Sequence, residues 1–160
     1  MIRAVENKDI DAICAIYNYY IANTVITLEE LPVTNLDMQG RIAEVAAKYL
    51  WVVFEQEQQV LGYAYVGSWK NRAGYRKTAE TTVYLAADAT GKGIGKQLYQ
   101  HLIDFAKSKG LHTLIGGISL PNAASEGLHE YFGFEKVAHF KEVGYKFEQW
   151  VDVGYWQLTF

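Results

Sequence analysis

Cysteine occurs once in the 160 residues, at Cys14, and proline twice. A lone thiol closes no intrachain disulfide and anchors no cysteine-rich metal site, so the fold must rest on its core, and a reducing cytoplasm is the expected setting. No apolar run reaches the ~18 residues of a membrane span. The opening stretch MIRAVENKDIDAI interleaves charged and apolar residues and lacks the apolar centre of a secretory signal. An excess of one charge is missing too: 15 Lys and Arg against 18 Asp and Glu leave a net −3, which gives no general attraction to nucleic acid or to an anionic membrane. Repeats, linkers and low-complexity tracts are also absent. Hydrophobic residues, by contrast, make up 50% of the chain and aromatics 14%, enough for the core of one domain over 1–160.

Local pattern supplies the element order. Residues 2–5 read as a short opening strand. Acidic Asp9 and Asp11 follow Asn7, and Ile10, Ile13, Cys14, Tyr17 and Ile21 recur at helical spacing, which predicts an amphipathic helix over 9–21. Thr34 and Asp37 have the form of a capping box opening a second helix, with Ile42, Val45, Ala46 and Tyr49 inward. The β-rich runs 51–55 and 60–69 flank a short polar stretch and predict a hairpin, with Gln an unusual turn residue. A strand over 78–86 leads into a Gly-rich stretch, and a helix then runs to Lys109 with Ile94, Leu98, Leu102, Phe105 and Ala106 inward and Gly110 as its stop. A strand over 113–119, a short helix over 122–131 and an aromatic-rich hairpin from 134–145 and 150–160 complete the chain. This order describes a mixed α/β sheet.

The segment TAETTVYLAADATGKGIGK carries the chemical signal. A strand ends, Gly91, Gly93 and Gly95 cross a tight turn, and a helix begins, so backbone amides and the helix dipole meet at one point, with Lys92 and Lys96 beside them. That arrangement suits a phosphate-bearing ligand, although glycines at this spacing also serve a plain strand-to-helix turn. Two phosphate motifs fail. A P-loop needs four residues between its glycines, and Gly91 and Gly95 enclose three; the Rossmann G-x-G-x-x-G fails because the third glycine comes one residue early. No His, Cys, Asp or Glu spacing suggests a metal.

Together with Asn122, Ser125, the run Leu128-His129-Glu130 and the pair Gly133-Phe134, this loop resembles the acetyl-CoA-binding core of the GNAT N-acetyltransferases. The likeness runs along essentially the whole chain to the phosphinothricin and methionine sulfoximine acetyltransferase-like branch, through AIYNYYIANT, VLGYAYVGSWK, AETTVYLAADATGKGIGKQL, KGLHTLIGGISLPNAASEGLHEYFGF and VGYKFEQWVDVGYWQL. The order and spacing of these pieces carry the resemblance. It implies a central, mostly antiparallel twisted sheet flanked by helices and splayed at the acetyl-CoA site.

The resemblance also implies roles. The pyrophosphate of acetyl-CoA sits on the amides of Gly91, Lys92, Gly93, Ile94, Gly95 and Lys96. The pantetheine arm pairs with Val83, Tyr84 and Leu85, and Asn122 and Ser125 lie beside the thioester. Thr90 departs from the Arg or Gln that usually begins the loop. Glu80, in Thr78-Ala79-Glu80, is the expected general base, since an α-ammonium must lose a proton before it attacks an acyl group. His129 stands where many relatives carry Tyr and is the expected proton donor or polarising group.

For the acceptor side, Lys70, Arg72, Arg76 and Lys77 form a basic stretch without an acidic residue, which reads either as a solvated face or as a match for a carboxylate-bearing substrate. Tyr75 falls at the branch's Arg-x-x-Tyr position, and Glu30 lies in the segment that covers the acceptor in relatives. The expected reaction is acetylation of the α-amine of a small amino-acid analogue, of phosphinothricin, methionine sulfoximine or methionine sulfone type. A polyamine, an aminoglycoside and a protein N-terminus stay open as acceptors, and so does a non-catalytic acyl-CoA sensor. The aromatic tail and the branch's habit point to a homodimer.

Overall fold

A computed structural model describes residues 1–160, and one seven-stranded sheet gathers strands from both ends of the chain. The elements in order are β1 (Ile2–Ala4), α1 (Ile10–Asn23), α2 (Asn35–Ala46), β2 (Leu50–Gln56), β3 (Gln59–Ser68), β4 (Thr78–Leu85), α3 (Ile94–Ser108), β5 (Thr113–Leu120), α4 (Ala123–Tyr131), β6 (Glu135–Lys146) and β7 (Gln149–Thr159). The sheet runs β1-β2-β3-β4-β5-β7-β6 and is antiparallel except where β4 meets β5. No helix is long and apolar enough to cross a membrane.

The expected elements all form, with shifted details that have local causes. A 3-10 turn, Asn7–Asp9, precedes α1, because Asp9 folds back to accept from the Glu6 amide and is gripped by the Arg3 guanidinium. The Thr34–Asp37 capping box closes in both directions. The inner face of α2 is Met38, Ile42 and Val45, with Ala46 left exposed, one turn earlier than its pattern predicts. On α3, Tyr99 and Ile103 are fully buried while Phe105 is only half-buried. The β2–β3 hairpin turns through Glu57 and Gln58, both at positive φ, without the Gly or Asn such a turn favours. Paired strands on both sides hold it there.

Strand alternation sorts two cores. Val52, Phe54, Ala64 and Val66 point to the α3 side, where they meet Ile94, Leu98, Leu102 and Ala106. Trp51, Val53 and Tyr63 point the other way, onto Ile13, Tyr17 and Ile21 of α1 and onto Met38 and Ile42 of α2. Each Val, Leu, Ile, Phe or Met among them contributes ~1.5–3 kcal/mol on full burial, so both faces of the sheet are firmly covered.

The parallel pair β4–β5 is short. Thr78, Ala79 and Glu80 face Thr113, Leu114 and Ile115, and the ladder stops there. Beyond Glu80, β4 continues on β3 as far as Leu85, while β5 continues on β7 as far as Leu120. A wedge therefore opens in mid-sheet, and α3 and α4 stand at its mouth. Two glycines in β5 shape it. A Cβ on Gly116 would lie 2.2 Å from His129 Nε2, and one on Gly117 would lie 3.1 Å from the Tyr155 ring and 3.6 Å from Glu80 Oε1.

Gly116→Ala must push the His129 ring off β5 and is expected to destabilise by ~1–3 kcal/mol, as overpacked sites do. Gly127→Ala, on the exposed face of α4 with nothing near its Cβ, is expected to stabilise by up to ~1 kcal/mol through helix propensity. Urea unfolding of the two variants measures the opposite signs.

Candidate active site

The Gly-rich turn builds an anion seat. Gly91 and Gly93 lie at φ +75° and +77°, a region that side-chain-bearing residues rarely adopt, and Gly93 is the N-cap of α3. No side chain caps this helix, so its first amides and its positive dipole end face outward together. Thr90 turns its hydroxyl inward to donate to the Ala87 carbonyl at 3.2 Å. Beside the seat lies a cavity of about 730 Å³ that follows the wedge. Gly91, Gly93, Gly95 and Lys96 line one end, Val83, Tyr84 and Leu85 the free edge of β4, and Asn122 and Ser125 the start of α4. Ile94 instead belongs to the core, and Lys92 projects into solvent. Asn122 is held as the N-cap of α4, its Oδ1 accepting from the Ser125 amide.

Glu80 sits at the last position where β4 pairs with β5, where the wedge begins, and its side chain borders the cavity. Burial pushes its carboxyl above the ordinary range, and the Lys70 ammonium partly opposes that shift. A carboxylate so placed holds a proton more readily than a surface one, which suits a base.

His129 is 4% exposed, and both ring nitrogens are engaged. Its Nδ1 lies 2.7 Å from the Ser125 carbonyl, an acceptor only, so Nδ1 carries the hydrogen and donates it there. Nε2 must then accept, and the Tyr99 hydroxyl donates to it at 2.6 Å. The Tyr99 oxygen in turn accepts from Thr81 at 2.6 Å. Burial lowers the His129 pKa, keeping the ring neutral near pH 7. In this arrangement the ring's single N–H serves α4 itself, and the chain Thr81–Tyr99–His129 ties β4, α3 and α4 together. Sequence reading missed Thr81 and Tyr99, which carry no motif. The adjacent Gly116 and Gly117 inside a strand were the available signal, since such glycines mark close approach.

The acceptor-side expectations scatter. Glu30, Lys70, Arg72, Tyr75 and Arg76 are exposed and line neither this cavity nor a second one on the α1/α2 face, although Lys70 stands close enough to act on Glu80. In the segment 24–33 it is Glu29, not Glu30, that is tied down. Arg41 grips Glu29 through two bonds of 2.7 and 2.8 Å, and the Tyr17 hydroxyl donates to it as well. Burial and that carboxylate push the Tyr17 hydroxyl up to about 12. Lys146, 1% exposed, donates to the Thr27 carbonyl at 2.8 Å, and Leu28 packs where a Gly144 side chain would stand.

Comparison with known proteins agrees with this geometry. A family model described as an acetyltransferase (GNAT) domain matches residues 2–154. An L-methionine sulfoximine/L-methionine sulfone acetyltransferase of Pseudomonas paraeruginosa is 40% identical, the match covering 99% of this chain and 93% of the relative. A phosphinothricin N-acetyltransferase of Streptomyces viridochromogenes is 35% identical, over 99% of this chain and 87% of the relative. Among solved structures, a GNAT superfamily phosphinothricin acetyltransferase from Sinorhizobium meliloti in complex with AcCoA superposes with a TM-score of 0.96 at 32% identity, covering 99% of this chain and 87% of that one. Fold and relatives converge: the chain belongs to the GNAT family of N-acetyltransferases.

Proposed function

We propose that the chain acetylates the α-amine of a small amino-acid analogue, of the phosphinothricin, methionine sulfoximine or methionine sulfone type, as one catalytic unit over 1–160. Acetyl-CoA supplies the activated acyl group. The observation that carries this reading is a half-buried carboxylate, Glu80, at the point where the sheet opens into the large cavity. The residues present fit acetyl-CoA: uncapped amides at the start of α3 for a pyrophosphate, an unpaired β4 edge for an amide-bearing arm, and room between them.

Within that reading the amides of residues 91–96 hold the phosphates, with Lys92 and Lys96 adding charge, and Val83, Tyr84 and Leu85 offer backbone groups to the arm. Asn122 and Ser125 border the reactive end. Glu80 takes the proton from the acceptor ammonium. His129, neutral and fixed by Tyr99 and Ser125, supports the wall of the site and polarises it. Lys70, Arg72 and Arg76, with Tyr75 and Glu30, attract and orient a carboxylate-bearing acceptor from the rim. A reducing cytoplasm suits the buried free thiol of Cys14. Val137, Phe140, Val143, Tyr145, Phe147 and Trp150 are all at least half exposed on the β6–β7 hairpin, a patch that suits a second copy of the chain.

Three measurements test these assignments. In a coupled free-thiol assay, Glu80→Gln is expected to lower turnover by ~10²–10⁴-fold, the usual contribution of a general base, while acetyl-CoA still raises the melting temperature. The raised pKa of Glu80 fixes the sign of the wild-type profile: activity falls as pH drops through that pKa, because the protonated carboxyl accepts nothing. Raising the pH should restore part of the Gln variant's loss, because free amine then forms unaided; near-normal turnover of Glu80→Gln across pH 6–9 would remove Glu80 from the mechanism. Gly93→Val should abolish the acetyl-CoA-induced rise in melting temperature, since valine resists the φ of +77° and blocks the amides. Sedimentation should find a dimer that Phe140→Lys with Val143→Lys converts to monomer.

A further inference from the structure

A second cavity, of about 440 Å³, lies on the α1/α2 face of the sheet. It meets the first at Glu80, Thr82, Tyr65 and Tyr17, which border both. The base therefore stands between two chambers, and the large one is already assigned to the acyl donor.

The walls of the smaller chamber are specific. Trp51 stacks on Tyr65 with ring centroids 4.2 Å apart and planes within 14°, giving a flat apolar side. Val45 of α2 faces the same space, and Arg41, Lys48 and Glu44 stand at its edge. Arg41 is itself paired with Glu29, and Lys48 stands beside Glu44 at the same edge. Arg41 is steadied by its two bonds to Glu29 and keeps further N–H donors free of that pair.

Gly67 forms the floor. It pairs directly with Glu80 across the β3–β4 ladder and shares its face with Tyr63 and Tyr65. Its backbone does not lie at positive φ, and a Cβ there would meet nothing nearer than the Tyr65 ring, at 3.8 Å. Neither backbone conformation nor crowding requires glycine at this position. What the missing side chain leaves is open space beside the base.

We infer that this chamber is the acceptor's side-chain subsite. It takes an α-amino acid whose side chain, about as long as that of methionine, lies against the Trp51–Tyr65 stack and ends in a hydrogen-bond-accepting head near Arg41 and Lys48, with the amine at Glu80. This rests on the acetyl-transfer reading above and adds where the acceptor lies and what sets its size. Gly67 and Val45 determine specificity, acting on acceptor binding rather than on the chemical step.

The test fills the chamber from its two sides. Val45→Trp reaches in from α2, and Gly67→Ala adds one methyl to the floor. Initial rates with acetyl-CoA are measured for methionine sulfone and for alanine, whose methyl does not reach the chamber. Val45→Trp is expected to raise the KM for methionine sulfone at least tenfold and Gly67→Ala by a smaller factor. The ratio of kcat/KM for methionine sulfone over alanine should drop in both, while the acetyl-CoA KM reports on the other chamber. A methionine sulfone KM within twofold of wild type in the variants that fold would overturn the subsite and leave acetyl transfer standing. A wild-type enzyme that acetylates no amino acid, yet acetylates another amine, would overturn the substrate reading and this inference with it.

Discussion

The rest of this molecule depends on a parallel pairing that lasts for three residues. β4 and β5 run together from Thr78 to Glu80; past Glu80 they part, and the edge of β4 from Thr81 to Leu85 borders the cavity, with the Leu85 carbonyl accepting from the Tyr20 hydroxyl at 2.6 Å. Exposed strand edges of this kind bind a partner or are covered. Here the edge lines a cavity that ends at the uncapped start of α3, so the backbone offers both a ladder and an anion seat along one path. Glu80 stands at the fork, at the last position where β4 is held on both sides. A carboxylate one turn of the pleat further along would ride on the looser half of the strand.

Keeping such a wedge open needs internal struts. The chain Thr81–Tyr99–His129 runs across it, and the Ser125 carbonyl fixes the direction of its hydrogens. Gly116 permits this by leaving its face of β5 bare, so that the imidazole can lie against the strand. Gly117 does the same on the opposite face, for Glu80 and Tyr155. Two neighbouring glycines thus serve two sides of one sheet, since successive strand residues point to opposite faces.

The order of elements was legible because each carries its own period or punctuation: the Thr34–Asp37 cap, the 3.6-residue spacing on α3, the stop at Gly110. The Gly-rich turn into α3 was legible for the same reason, since positive φ at Gly91 and Gly93 is a local demand that only glycine meets cheaply. What stayed hidden depends on contacts distant in sequence. Tyr99 reads as one more core aromatic until β4 and α4 bring Thr81 and His129 to its hydroxyl. Glu29 and Glu30 look alike until Arg41, twelve residues on, selects the first. On α2, Met38 joins the expected inner residues Ile42 and Val45 although it lies before the apolar run that suggested the period, and Ala46 drops out of the face.

The segment 24–33 has no regular secondary structure, yet it is fastened at Thr27 by Lys146, at Glu29 by Arg41 and Tyr17, and at Val33 by Asn18. Each of those partners sits on a helix or strand. An irregular stretch held in this way has already surrendered most of its conformational freedom before any ligand arrives. Its ordering entropy is therefore met during folding, so that a ligand bound beside it does not also have to order the segment.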